Sequence, residues 1–406
     1  MNAIKDSVHD WIPLDPVAAD LLDTEAFQRL RHIKQLSTVR LVYPSASHTR
    51  FEHSLGVYHL AGQALESLGV EGARARAVRA AALLHDVGHG PYGHQTEEVI
   101  RRHTGTDHDE IGDLLYETEL AGVLERHDID PDRVAALVRG EGDLGQVVSG
   151  ELDVDRMDYL VRDAHHTGVP YGTIDHGRLV RELRSRDGRL VLAEGNVQTA
   201  ESLLLARALM DGVVYRHHVS RIAGAMLERA CERLLDAGTP VAEFRRMADH
   251  DLLVALREEV PDLGARIERR DLYKRAVWTG LDRVPDAVTE LSREDERRAA
   301  RDIADEADVD RERVVVDVPS LPKLKESRTR VVVNGVVRRL EGASELVGAL
   351  RATRRAQWRL GVYAPAAEQD AVAEAARDVL GLPDNDRFYS RTPKPAVMTD
   401  TTGWSA

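Results

Sequence analysis

An Ala- and Leu-rich run from Arg76 to Leu84 ends on a His-Asp pair, His85-Asp86, and then enters Val87-Gly88-His89-Gly90-Pro91-Tyr92-Gly93-His94. The run has the composition of a buried helix, so its end lies inside the protein. A polar pair closing a buried helix needs a partner, because unpaired buried polar groups are costly. Histidine nitrogen and aspartate oxygen are ligands of borderline and hard divalent cations, and one ion would satisfy both. The plainer alternative is a C-cap at His85 and a Gly-Pro turn begun by Asp86. That alternative holds unless matching ligands lie elsewhere in the chain.

Two other stretches supply them. Arg50-Phe51-Glu52-His53-Ser54 puts a histidine at the start of an amphipathic helix that continues through Leu55, Tyr58, Leu60, Ala61, Ala64 and Leu65. Glu151 to Asp163 carries five acids in thirteen residues, interleaved with Met157, Leu160 and Val161. Those apolar residues must point inward. Asp155, Asp158 and Asp163 therefore cannot all face solvent, and an acid that meets a core calls for a cation.

The rest of the chain places these stretches. Its 406 residues can bury a large core and suit two domains. Helical periodicity dominates to about residue 280, with a hairpin expected around Asp187-Gly188 and a break near His217. Beyond 312 the period changes to two, and Asn334-Gly335 is a second hairpin turn. The expected fold is mainly α. A helical core spans 1–280, a smaller C-terminal α+β module spans 281–384, and a polar tail with Pro393 and Pro395 spans 385–406.

Composition removes several function classes. No apolar run reaches membrane-spanning length and Met1–Asp10 is not a signal peptide, so no membrane partner and a cytoplasmic location are expected. The single cysteine, Cys231, falls on an apolar helical face and reads as core. His165-His166 and His217-His218 also read as structural, since adjacent helical residues diverge. The net charge of −14 argues against nucleic acid as the main partner. An acidic protein that handles a polyanion must gather arginine and histidine in one pocket, and the motif region does that.

The order H…HD…D resembles the signature of the HD superfamily of metal-dependent phosphohydrolases. Phe27-Gln28-Arg29-Leu30-Arg31, Ser47-His48 with Arg50-Phe51-Glu52-His53, and His85-Asp86 with Gly88-His89-Gly90-Pro91-Tyr92 and His94 are similar to its deoxynucleoside triphosphate triphosphohydrolase branch. The likeness is dense over roughly residues 1–230 and thin beyond. It implies an HD-type helical core and a divalent ion (Mn, Fe, Zn or Mg) on His53, His85, Asp86 and Asp155. It implies that His89, His94 and His108 line the phosphate side, with His94 protonating the leaving oxygen. Glu97 would orient His94, at a position where the family has Asp. Arg50 and Arg207 would grip phosphates, with Arg156 where the family usually has Lys. Tyr159 and Asp163 would contact the deoxyribose, and Gln35 and Leu36 would frame the 3′-hydroxyl and base.

The function this implies is hydrolysis of deoxynucleoside triphosphates (dNTPs) to deoxynucleoside and triphosphate, in a homo-oligomer. The rivals are an HD phosphohydrolase acting on a nucleoside monophosphate or signalling nucleotide, and a non-catalytic regulator that binds nucleotide or nucleic acid. Asp23 and Arg31 resemble part of a second, guanine-reading site in the family. Asn2 stands where that site has Lys, and Lys5 where it usually has Asn.

Overall fold

The computed structural model of the protein describes residues 3–322, 324 and 328–383. Asn2 and the expected tail 385–406 lie outside the described residues. The chain forms two compact units. One is Met1–Tyr273 together with Pro322–Gln357; the other is Lys274–Leu321 together with the chain from Trp358.

The first unit is helical, as its sequence period requires. It opens with a hairpin of β1 (Ala3–Asp6) and β2 (Asp10–Pro13). Thr24 caps the next short helix by accepting from Phe27 N at 3.3 Å. The helix Arg50–Ser67 starts on Thr49, and Glu52 reaches back to the Thr49 backbone N–H at 2.6 Å. The helix Gly72–Leu84 buries Ala77, Val78 and every residue from Ala80 to Leu84. Its small side chains let it lie against Arg50–Ser67, which also packs on Val154–Thr167. These three helices carry His53, the entry to His85-Asp86, and Asp155.

The break expected near His217 is a π-turn at Asp211–Tyr215 between the helices Val197–Met210 and His218–Asp236. Cys231 is fully buried there, as its helical face implied. The Asp187-Gly188 hairpin joins β3 (Leu183–Arg186) to β4 (Arg189–Leu192), with both turn residues at positive φ.

The division near residue 281 takes a different form. The hairpin of β7 (Arg330–Val333) and β8 (Val336–Arg339) turns at Asn334-Gly335, yet belongs to the helical unit. The reason is β4. Its buried Leu190, Val191 and Leu192 offer an apolar edge, and β7 pairs with it in parallel at Leu192 and Val331. The sheet order is β3-β4-β7-β8. The helix Leu346–Gln357 follows in the same unit.

The second unit is a small α+β body. Its antiparallel sheet runs β5-β9-β6, from Lys274–Gly280 (β5), Val315–Asp317 (β6) and Arg359–Ala364 (β9). The helices Arg293–Glu306 and Gln369–Leu380 cover it, and Trp358 is buried with Nε1 donating to Pro319 O at 2.8 Å. Helical periodicity was expected to dominate to about residue 280. The helix Pro261–Glu268 stops earlier, and β5 follows, burying Ala276, Val277 and Thr279 with an irregularity in its register between Arg275 and Val277.

Candidate active site

His53, His85 and Asp86 are all buried, and each offers a ligand atom within 4.8 Å of the others. His53 Nε2 lies 3.3 Å from His85 Nε2 and 3.9 Å from Asp86 Oδ2. His85 Nε2 is 3.4 Å from Asp86 Oδ1. Asp155 Oδ1 reaches the same two imidazoles, at 2.9 Å from His53 Nε2 and 3.8 Å from His85 Nε2. Ligands at about 2.0–2.2 Å from a common ion are themselves about 3–4 Å apart, so His53, His85 and Asp86 fit a divalent cation, with Asp155 within reach of both imidazoles.

The far side of each imidazole is already committed. His53 Nδ1 lies 2.8 Å from Asp158 Oδ2, and His85 Nδ1 lies 2.9 Å from the Ala82 carbonyl. Both acceptors call for an N–H at Nδ1, which leaves the two Nε2 lone pairs facing each other. Two facing lone pairs repel unless a cation or proton lies between them. Burial alone would lower the His53 pKa, but Asp155, Asp158 and Asp86 outweigh it and raise it to about 10. Burial pushes Asp86 upward, while Arg50, His85 and His89 overcome that and hold it well below the carboxylate range. Arg50 Nη1 donates to Asp86 Oδ2 at 2.7 Å.

A second group adjoins the first. His89 Nε2 is 3.3 Å from Asp86 Oδ1. His89 stacks on His108 at 3.9 Å with an interplanar angle of 10°, and His94 stands edge-on to both, at 4.6 and 5.0 Å. Glu97 joins the group by accepting from His94 Nδ1 at 2.8 Å and from His108 Nδ1. These four residues also lie within metal-ligating reach of one another. Imidazole lone pairs lie in the ring plane, however, and two stacked parallel rings do not aim at one ion. The group suits proton handling and anion contact better. Burial opposes charge on both Glu97 and His108, but their mutual bond lowers Glu97 and raises His108. Burial, then the Arg50 and His108 charges, hold His89 well below the usual histidine range. Both His89 ring nitrogens are buried without a well-formed hydrogen bond among the described residues.

Backbone packing fixes this second group. The loop passes so close to His108 that a Cβ at Gly88 would run into the His108 carbonyl. Arg29 Nη1 donates to the His89 carbonyl at 2.9 Å, and the same guanidinium binds the carbonyls of Arg245, Arg246 and Met247. Asp249 accepts from Tyr92 N at 2.6 Å and Lys34 N at 2.9 Å. Neither Arg29 nor Asp249 was expected from the sequence. Their acceptors and donors are backbone atoms, which leave no side-chain signature.

The other anticipated residues divide. Tyr159 lies 6.5 Å ring-to-ring from His53, and Arg207 donates to its hydroxyl. Asp163 is buried, held by His48 Nε2 and Tyr215 OH, both at 2.8 Å. Arg156 Nη1 binds the carbonyls of Glu151 and Gly150 and the carboxylate of Asp153, the N-cap of the Asp155 helix. Gln35 donates its backbone N–H to His48 O at 3.0 Å, and its Oε1 is buried without a hydrogen bond among the described residues; Leu36 beside it is buried. His166 stacks on His48 at 4.4 Å, and His217 caps its helix by accepting from Val219 N at 3.3 Å. A cavity of about 360 Å³ lies between the first hairpin and the start of the His53 helix. Arg31 and Lys5 line it; Asp23 is not among its walls, and Asn2 is outside the described residues.

The family profile for the HD domain matches residues 50–163, and that for the HD-associated region matches residues 174–390. The chain belongs to the HD-domain phosphohydrolases. An uncharacterised protein of Methanocaldococcus jannaschii is 33% identical over 90% of this chain and 79% of its own length. The Dictyostelium discoideum homologue of deoxynucleoside triphosphate triphosphohydrolase SAMHD1 is 29% identical over 61% of this chain and 50% of its own length. This chain thus spans about half of that relative. The crystal structure of a phosphohydrolase from Bacteroides thetaiotaomicron superposes with a TM-score of 0.72 at 26% identity, over 90% of this chain and 100% of that one.

Proposed function

We propose that this protein hydrolyses deoxynucleoside triphosphates to deoxynucleoside and inorganic triphosphate, using a divalent metal ion on His53, His85, Asp86 and Asp155. One observation carries the proposal. The metal-fitting group and the histidine group share a wall at Asp86 and His89, 3.3 Å apart, with Tyr159 beside His53. Ligands, proton carriers and a ring that can face a sugar therefore meet in one place. The names of relatives such as the SAMHD1 homologue support the substrate class.

A bound divalent ion would acidify water and draw charge from phosphate oxygens. Releasing triphosphate intact means that water adds to the α-phosphorus, the bond to O5′ breaks, and O5′ takes a proton. His94 is suited to give that proton. Its side chain is 66% exposed, and its Nδ1 is tied to Glu97, so Nε2 faces outward. Glu97 anchors the ring and balances the imidazolium charge. His89, Arg50 and His108 offer donors to a polyphosphate, and Tyr159 is the ring that would pack under the sugar and exclude a 2′-hydroxyl.

Incubation with each dNTP and NTP in Mn²⁺ or Mg²⁺, with products resolved by ion exchange, tests the proposal. Deoxynucleoside and triphosphate in equal amounts support it. Release of monophosphate, or turnover of nucleoside monophosphates alone, would place the chain with another phosphoester.

A further inference from the structure

We infer that the β1–β2 hairpin is a working part of the metal centre: Asp6 and His9 clamp Asp158, and Asp158 holds His53 in the tautomer and orientation that present Nε2 to an ion. Asp158, Arg162, Asp6 and His9 are positioning residues, and the inference rests on the reading of His53 as a ligand given above.

Asp158 is fully buried and receives four hydrogen bonds. Oδ1 accepts from His9 Nε2 at 2.6 Å and Arg162 Nη2 at 3.1 Å. Oδ2 accepts from His53 Nδ1 at 2.8 Å and Arg162 Nε at 2.8 Å. A carboxylate has about four lone-pair sites, so none is left over. Asp158 cannot turn toward the ion, and it cannot release His53 without losing a bond.

Arg162, also fully buried, is in turn held from the hairpin. Its Nη1 donates to Asp6 Oδ2 at 2.8 Å and its Nη2 to Asp6 Oδ1 at 3.2 Å. Asp6 accepts from Val8 N at 2.9 Å and His9 N at 2.8 Å, so it shapes the turn that delivers His9. Asp6 and His9 thus reach Asp158 by separate routes, one through Arg162 and one directly. The ligand helix accommodates the arrangement as well. Gly56 lies three residues past His53, and a Cβ there would run into Asp158 Oδ1.

Charge separates this arrangement from an ordinary buried ion pair. One guanidinium serves two carboxylates, Asp6 and Asp158, where a structural pair would need one. With His53 Nε2 given to an ion rather than a proton, the surplus negative charge lies against its Nδ1–H. A carboxylate in that place strengthens the opposite nitrogen as a ligand.

The test is direct binding of Mn²⁺ to the metal-stripped full chain, read from the paramagnetic resonance signal of free Mn²⁺ with no substrate present. Unfolding temperatures are measured on the same metal-free samples. Asp158→Asn should weaken Mn²⁺ binding about 10–100-fold, the usual cost of losing such a support. Asp6→Asn and His9→Ala should weaken it by a smaller factor, and His9→Gln, whose amide can still donate to Asp158, should restore most of the loss. Unchanged Mn²⁺ affinity in Asp158→Asn and His9→Ala overturns the inference, whatever happens to the unfolding temperature. If Asp158→Asn does not fold, the His9 pair decides, and equal affinities for His9→Ala and His9→Gln overturn it. A wild-type chain that binds Mn²⁺ but turns over no dNTP defeats the proposed substrate while leaving the inference standing. A wild-type chain that binds no Mn²⁺ defeats the inference as well.

Discussion

The two histidine groups share the wall between Asp86 and His89, yet they are built in opposite ways. In the first, both histidines are buried, and both Nδ1 atoms are committed to protein acceptors that point Nε2 inward. In the second, one carboxylate serves two histidines, one ring stands mostly in solvent, and the rings stack instead of converging. Fixed lone pairs aimed at a point suit an ion, which needs its ligands held in place. An exposed imidazole tied at one nitrogen suits a proton carrier, which must meet a substrate and be recharged from water. The difference implies a division of labour that substitutions can separate.

The largest effect is expected from Asp86→Ala, which removes a member of the first group and its contact with His89 of the second. Mn²⁺ binding and dNTP turnover should both be lost, and chelation of the wild-type enzyme should reproduce the loss of turnover. Retained turnover would break the comparison at its root. His94→Gln comes next. Turnover should fall about 10²–10⁴-fold, the usual contribution of a general acid, with Mn²⁺ affinity unchanged. A matching fall in metal affinity would show that the two groups are one site. Arg29→Met should act more weakly and on the second group only. It leaves the His89 carbonyl and the three carbonyls at 245–247 without their donor. A fall in turnover of about tenfold and a lower unfolding temperature are expected, with metal binding preserved.

The first group was more legible in the sequence than the second, and for a physical reason. His53, His85 and Asp86 interrupt apolar helical patterns, and a polar residue on a buried face is visible without any structure. Asp155 was visible within a run of five acids, but its neighbour Asp158 was not assigned a task. Besides His53, the donors to Asp158 lie 149 residues away at His9 and only four away at Arg162, and Arg162 has its other anchor 156 residues away at Asp6. Nothing local marks such bonds. The expected substrate-side place of Arg156 stood on the likeness alone, and the structure engages its Nη1 with the loop that starts the Asp155 helix. The interleaving of the two units was hidden in the same way. The β7–β8 hairpin is plain from Asn334-Gly335, but its partner β4 lies far back in the chain. Turns are written locally, whereas sheet partners and backbone clamps are not.

The smallest effect sharpens the second group through pH. Glu97 and His108 are partly buried, and each perturbs the other. The folded Glu97 lies below its ordinary value of 4.5, so its contribution is present above about that pH and is lost as pH falls toward its folded value. The folded His108 lies above its ordinary value of 6.5, so its contribution is full below that pH and is lost as pH rises through its folded value. Both conditions hold together between about pH 4.5 and 6.5. A charge-assisted bond of this kind contributes about 1.5–3 kcal/mol. Glu97→Gln should therefore lower the unfolding temperature most within that window, by a few degrees, with the gap to wild type closing toward pH 9 and toward pH 3. A gap that does not change with pH would mean that Glu97 holds its two histidines by packing rather than by charge. His94 would then lack the counter-ion that its role as proton donor requires.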